Sequence, residues 1–297
     1  MINEDTNERQ EEYLSVTARA KMVQQPRGGY VSIRKFDKIV FDDGIALFEE
    51  ENVHGSIVGM AVDYLSRFMA GDSAERAFGI SLLGARRAEN EYDRDGYIAV
   101  SQELLSGIDR KLDDKTIENA CKLVTFDVWL RDPSWGAFSK SYNETNCDGD
   151  TIHNIRTMVK RAESFWKKYG PVIETEFVFR DRDSELEYKV GMTDAEFEEM
   201  LRKNRGGYTQ TVISGDGDYL TKDTMWDFKV IRRTPNKDNT LQMLMYWIMG
   251  QHSGLKMFEG ITKVGIFNPR YNVAYQLDMT NVDKEIIKEI EDKVICY

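Results

Sequence analysis

Cysteine, basic charge and long apolar runs are each in short supply in this chain of 297 residues, and each shortage removes a class of protein. The three cysteines, Cys121, Cys147 and Cys296, lie far apart and form no Cys-x-x-Cys pair. They cannot all be joined within one chain and make no zinc-ligand spacing, which favours a reducing, cytoplasmic setting. The most apolar helical candidates, 57–65 and 241–249, are far shorter than the about 20 residues that cross a bilayer, so no membrane span is expected. The opening MINEDTNERQEE is polar and acidic where a secretory signal needs a basic start and an apolar stretch. No Gly-x-x-x-x-Gly-Lys phosphate loop and no His-Glu-x-x-His helix is present, so nothing suggests an ATP-driven motor or a zinc hydrolase.

Forty basic against 51 acidic residues give a net charge of −11. Such a surface repels polyanions over most of its area and confines any nucleic-acid contact to a local patch. Lys229, Arg232, Arg233 and Lys237 offer one, because no acid falls between positions 229 and 237. A run of this kind is usually a solvated loop, so its position matters more than its charge. What remains is ordinary globular composition, 41% hydrophobic and 11% aromatic, with a rather rich 31% of charged residues.

Taken in order, residues 1–29 read as a polar arm, a frayed helix or a mobile segment, that ends at Pro26-Arg27-Gly28-Gly29. Tyr30 to Phe41 alternates loosely before the turn signal Asp42-Asp43-Gly44, which suggests a short extended segment. From 54 to 70 the apolar residues Ile57, Val58, Ala61, Val62, Leu65, Phe68 and Met69 recur at threes and fours, the mark of an amphipathic helix. Helical patterns follow at 74–88, 115–130 and 151–169, so the N-terminal half is mainly α. Strand patterns then fall at 172–179 and 185–190, with a short helix at 194–203, a strand pair at 263–268 and 272–277, and a charged closing helix at 282–294.

The most informative stretch is Val212–Gly250. Asp218-Tyr219-Leu220 and Met225–Ile231, separated by Thr221-Lys222-Asp223-Thr224, read as a β-hairpin. Side chains alternate along a strand, so Asp227 and Lys229 share one face while Trp226, Phe228 and Val230 point to the other. A helix follows, on which Gln242 and Tyr246 are four apart and therefore neighbours. Asp/Glu-x-Lys occurs five times in the sequence, but only Asp227-Phe228-Lys229 is strand-like and followed by the single Gln-x-x-x-Tyr.

Gly215-x-x-Asp218, Asp227-x-Lys229 and Gln242-x-x-x-Tyr246, in that order and spacing, resemble the PD-(D/E)XK nuclease superfamily and are most similar to its RecB-type branch. The resemblance implies an α/β fold with a restriction-endonuclease-like central mixed β-sheet flanked by helices. The nuclease core would span 171–297, behind a mainly helical region, 30–170, that includes the first core helix. It further implies a metal-dependent deoxyribonuclease, exonucleolytic or directed at single strands. Mg²⁺ or Mn²⁺ would sit on Asp218, Asp227 and the backbone carbonyl of Phe228, hard oxygens suited to a hard ion. Lys229 would orient the attacking water or stabilise transition-state charge, with Gln242 and Tyr246 positioning the lysine or a DNA phosphate. Glu174 and Glu176, on one face of a strand-like run, are candidates to join the metal site. Asp63 would support it from the first helix, and Arg232, Arg233 and Lys237 would contact DNA.

Two departures qualify the resemblance. Many RecB-type members carry a metal-binding histidine where Gly59 stands, and three cysteines cannot supply the four ligands of the iron–sulfur cluster that some members hold, so no cluster is expected. The missing histidine and the negative charge motivate an alternative: a catalytically inactive nuclease-fold protein that binds DNA or a protein partner in a phage or mobile-element setting. A third reading makes the chain a structural partner in a recombination or defence complex.

Overall fold

A β-hairpin forms where the apolar alternation predicts one, and three further strands assemble beside it. The structure, a computed structural model, describes residues 14–136, 138–180 and 207–297. The strand expected at 185–190, the helix at 194–203 and the first part of the N-terminal arm lie outside these residues. The described strands, in chain order, are β1 (Leu14–Ser15), β2 (Asp37–Val40), β3 (Phe177–Arg180), β4 (Val212–Gly217), β5 (Tyr219–Leu220), β6 (Thr224–Phe228), β7 (Lys263–Asn268) and β8 (Val273–Asp278).

The architecture is α/β, but the described strands make two mixed sheets instead of one central sheet. The larger has the order β2-β8-β7-β6-β5, with β6 and β7 parallel and the other pairs antiparallel. The smaller has the order β1-β4-β3, β4 running parallel to β1 and antiparallel to β3. The chain steps from the small sheet to the large one at a single residue, Asp218, between β4 and β5. A bridge between Glu174 and Leu220 stitches the two together at that step.

Parallel strands need cover on both faces, and two helices supply it. Helix Lys237–Ser253 starts at Asn236, whose side chain accepts from the Asp238 and Asn239 amides. Its Leu241, Leu244, Met245 and Ile248 share one buried cluster with Met225, Val264 and Ile266. Helix Gly149–Tyr169, capped by Asp148, covers the opposite face with aromatic rings. Phe165 stacks on Phe267 at 4.2 Å, and Trp166 on Phe228 at 4.9 Å. The period-two alternation of β6 therefore holds, Trp226 and Phe228 facing the aromatic layer and Met225 the other. Residues on both sides of position 170 build this core, since β2 is an edge of the larger sheet and Phe165 belongs to its aromatic layer.

The helical patterns at 54–70 and 151–169 are realised as Gly55–Ala70 and Gly149–Tyr169, while 74–88 is broken at Phe78 into Ala74–Ala77 and Gly79–Glu91. The pattern at 115–130 forms Asp114–Leu123 and Asp127–Arg131 with a 3-10 turn between them. Helix Tyr97–Ser106 and the single turn Pro133–Gly136 arise where none is expected, and the described part of the arm forms helix Val16–Met22. Helices Gly55–Ala70, Gly79–Glu91 and Asp114–Leu123 close on a core of their own that includes Leu65, Phe78, Ile117 and Leu123.

Buried charge ties the segment before the first core helix to the sheet. Glu51 accepts from Arg270 at 2.7 and 3.0 Å and from Asn154 at 3.0 Å. Arg161 bonds Asp43 and the carbonyls of Ile45, Pro269 and Arg270. Burial works against the Glu51 charge, but its bonds to Arg270 and Asn154 outweigh that and hold its carboxyl below the ordinary value of 4.5. A depressed carboxyl stabilises the fold above its unfolded pKa and loses that contribution as pH falls through the folded value. Wild-type stability to urea is therefore expected to fall on acidification below about pH 4.5, and Glu51→Gln to flatten that limb. Parallel pH profiles for the two proteins would contradict the assignment.

Candidate active site

The face of β6 that carries Asp227 is not an open surface. It turns toward helix Lys237–Ser253, and Asp227 there is only 2% exposed, while the Lys229 side chain beside it is 23% exposed. Its Oδ1 accepts from Lys229 Nζ at 2.9 Å, while its buried Oδ2 has no hydrogen-bond partner among the described residues. Asp218 arrives from the step between the sheets, and its Oδ2 accepts the Phe228 amide N–H at 2.7 Å. Asp218, Asp227 and Lys229 thus come together as alternation predicts. The Phe228 backbone enters this contact through its N–H, and the carbonyl expected as a ligand belongs to the next peptide, toward Lys229.

Burial, reinforced by the nearby Asp63 and Asp227 charges, pushes the Asp218 carboxyl well above the ordinary range, with Arg67 and Lys229 pulling the other way. Burial also raises Asp227, against the pull of Lys229. For Lys229 burial opposes the charge, but Asp227 and Asp218 outweigh it and keep the ammonium protonated above its ordinary value. The site is therefore short of positive charge.

The helix-borne pair has a different task from the one expected. Gln242 Nε2 donates to the Tyr246 hydroxyl at 3.0 Å and lies 3.2 Å from Thr17 Oγ1, and Tyr246 donates to the Asp216 carbonyl at 2.6 Å. Their bonds hold the backbone of β4 just before Asp218, not Lys229. This close approach requires glycine at 215, because a Cβ there would meet Val16 at 2.6 Å and the Tyr246 ring at 2.9 Å.

The remaining acids are organised by a residue that the motif reading passes over. Arg67, four residues after Asp63 on helix Gly55–Ala70, makes a two-pronged bond with it, Nε at 3.2 Å and Nη2 at 2.9 Å. The same guanidinium lies 3.5 Å from Asp218 Oδ1 and 3.6 Å from Glu176 Oε1. The Tyr219 hydroxyl lies 3.4 Å from Asp63 Oδ1. Glu174 is drawn aside to Arg76 at 3.5 Å. Only the i,i+4 spacing of Asp63 and Arg67 was visible beforehand; the meeting with Asp218 and Glu176 is tertiary. Gly59 stands one turn before Asp63, where a Cβ would meet only Val230, at 4.0 Å.

The basic loop is only partly free for a polyanion. Arg232 bonds the Glu49 carbonyl and pairs with Glu51 at 3.1 Å, which makes it a tie to the 43–51 segment. Arg233 and Lys237 are exposed.

Among the described residues, no three His, Cys, Asp or Glu side chains are gathered so as to hold a metal ion. Asp63, Glu176 and Asp218 surround a guanidinium and not a point. Mg²⁺ asks for less than a full protein cage, since it keeps several waters and binds through one or two carboxylates plus substrate phosphate. Asp218 and Asp227 are carboxylates of the kind such an ion would use, and Asp227 Oδ2, which has no hydrogen-bond partner among the described residues, is a hard oxygen. Asp63, Glu176, Asp218 and Asp227 against Arg67 and Lys229 leave an excess of two negative charges when all are ionised. Comparison with protein-family models, with curated proteins and with solved structures finds no match to this chain.

Proposed function

We propose that this chain is a Mg²⁺- or Mn²⁺-dependent deoxyribonuclease of the PD-(D/E)XK type, RecB-like and acting on DNA ends or single strands. The observation that carries the reading is the Asp218–Asp227–Lys229 group around the buried Asp227, with a charged lysine bonded to one oxygen of Asp227 and the other oxygen without a donor among the described residues. Asp218 and Asp227 would hold the ion, which when bound acidifies a water and screens the phosphate. Lys229, fixed on Asp227, is placed to orient the nucleophile or meet charge developing on the phosphate. Tyr246 and Gln242 support this from behind by gripping the strand that delivers Asp218. Arg233 and Lys237 would supply the local positive contact that the rest of the surface lacks.

Purified protein on end-labelled single- and double-stranded DNA, with Mg²⁺, Mn²⁺ or EDTA, is the direct test. The expected result is divalent-dependent cleavage that Asp227→Asn reduces by about 10²-fold or more. Wild-type protein that binds DNA but never cuts it in either metal would sink the enzymatic reading. One observation favours the alternative of an inactive binding protein: Arg67 already supplies a counter-charge to Asp63, Glu176 and Asp218.

A further inference from the structure

Arg67 is an unusual occupant for the middle of an acid cluster. Its side chain is 10% exposed and lies between Asp63, Glu176 and Asp218, with the rings of Tyr64 and Tyr219 at 5.7 and 5.9 Å. The three ion pairs are unequal. The fork on Asp63 is short and two-pronged, at 2.9 and 3.2 Å, whereas Asp218 and Glu176 stand at 3.5 and 3.6 Å. Two-pronged arginine–carboxylate pairs are the strong and directional ones, and contacts at the longer distances are readily exchanged. The firmly held partner belongs to the same helix, while the loosely held Asp218 is a carboxylate that the proposed function gives to a metal. Beside it, the buried Asp227 Oδ2 has no donor among the described residues.

We propose that Arg67 is an exchangeable counter-cation: its guanidinium neutralises Asp218 and Glu176 while no divalent ion is bound, yields Asp218 to the ion, and stays anchored on Asp63 with N–H groups freed for a phosphate oxygen of DNA. The inference rests on the metal-dependent reading above. It separates Arg67 from a merely structural arginine, whose loss would weaken both the metal site and the DNA site.

The test compares wild type, Arg67→Gln and Arg67→Lys in two measurements: calorimetric titration with Mn²⁺ alone, and binding of a fluorescent single-stranded oligonucleotide in Ca²⁺. Arg67→Gln is expected to bind Mn²⁺ about tenfold more tightly, because a competing cation is gone, and the oligonucleotide about tenfold more weakly. If glutamine prevents folding, judged by circular dichroism, Arg67→Lys decides: it keeps the charge but has no fork, so DNA binding should weaken with Mn²⁺ affinity no lower than wild type. Weaker Mn²⁺ binding in either variant, or no change in both measurements, overturns the exchange. The two readings fail separately. Cleavage by wild type combined with unchanged Mn²⁺ affinity in Arg67→Gln removes the exchange and leaves the nuclease. The expected shifts without any cleavage remove the nuclease and leave the exchange. Absence of Mn²⁺ binding in every protein removes both.

Discussion

Lys229→Ala is expected to lower the DNA cleavage rate by about 10²–10³-fold, the size of effect that follows loss of a preorganised transition-state donor. The geometry explains why the effect should fall on rate. Lys229 Nζ is held at 2.9 Å from Asp227, and the neighbouring carboxylates keep it charged in spite of burial. Such a cation requires no reorganisation when charge builds on the phosphate. In the proposed nuclease its contribution to ground-state DNA binding would be one phosphate contact among several, so affinity should weaken modestly and the salt slope fall by about one. Single-turnover cleavage and equilibrium binding on the same oligonucleotide separate these effects. A variant that cuts within about threefold of wild type would remove Lys229 from the chemistry.

The second large effect is one of stability, and it arises behind the site. Asp127, 1% exposed, accepts from the Tyr64 hydroxyl and from Ser81 Oγ, each at 2.5 Å, with Arg131 Nε at 3.6 Å. Tyr64 belongs to the helix that carries Asp63 and Arg67, Ser81 to Gly79–Glu91, so a single carboxylate joins three helices. Asp127→Ala would leave two buried hydroxyls without an acceptor and Arg131 without its acid. Breaking a buried, hydrogen-bonded charge cluster from one side typically costs about 3–5 kcal/mol. Chemical denaturation should show a loss of that order, whereas Asp127→Asn, which keeps the volume and one acceptor oxygen, should lose markedly less. A loss below about 1 kcal/mol for the alanine variant would mean that the cluster adds little.

Asp227, Lys229 and Asp218 were legible because strand alternation and hairpin turns are local rules, and the alternation holds through Phe228, although the strand ends there and Lys229 and Val230 follow it. The helix after them was legible for the same reason, although Asn236 and the polar turn beyond it start it earlier than its apolar run suggests. Arg67 was not legible. Its meeting with Asp218 spans 151 residues, and no period in the sequence encodes a contact between a helix and a distant strand junction. The part played by Tyr246 was hidden likewise, since its acceptor is a backbone carbonyl that becomes reachable only because Gly215 lacks a side chain. Arg232 misled for the opposite reason: a basic loop invites a polyanion, yet a buried glutamate from far upstream had already claimed that residue. The division into two sheets was hidden too, because strands β4 and β5 are separated by one residue, Asp218, and no local period marks a change of sheet there.

The two borders of the larger sheet also restrict how another molecule can approach. At one border β5 is only two residues long, and the Leu220 amide and carbonyl are already bonded to Glu174 and Ile173. At the other, β2 spans four residues and begins with the exposed charges of Asp37 and Lys38. Short, charged or occupied borders discourage a foreign strand from adding to a sheet, the route by which sheet proteins stick to one another and by which many peptides are captured. Among the described residues, neither border of this sheet is a template for strand addition, so a polymer entering the site must be gripped by side chains.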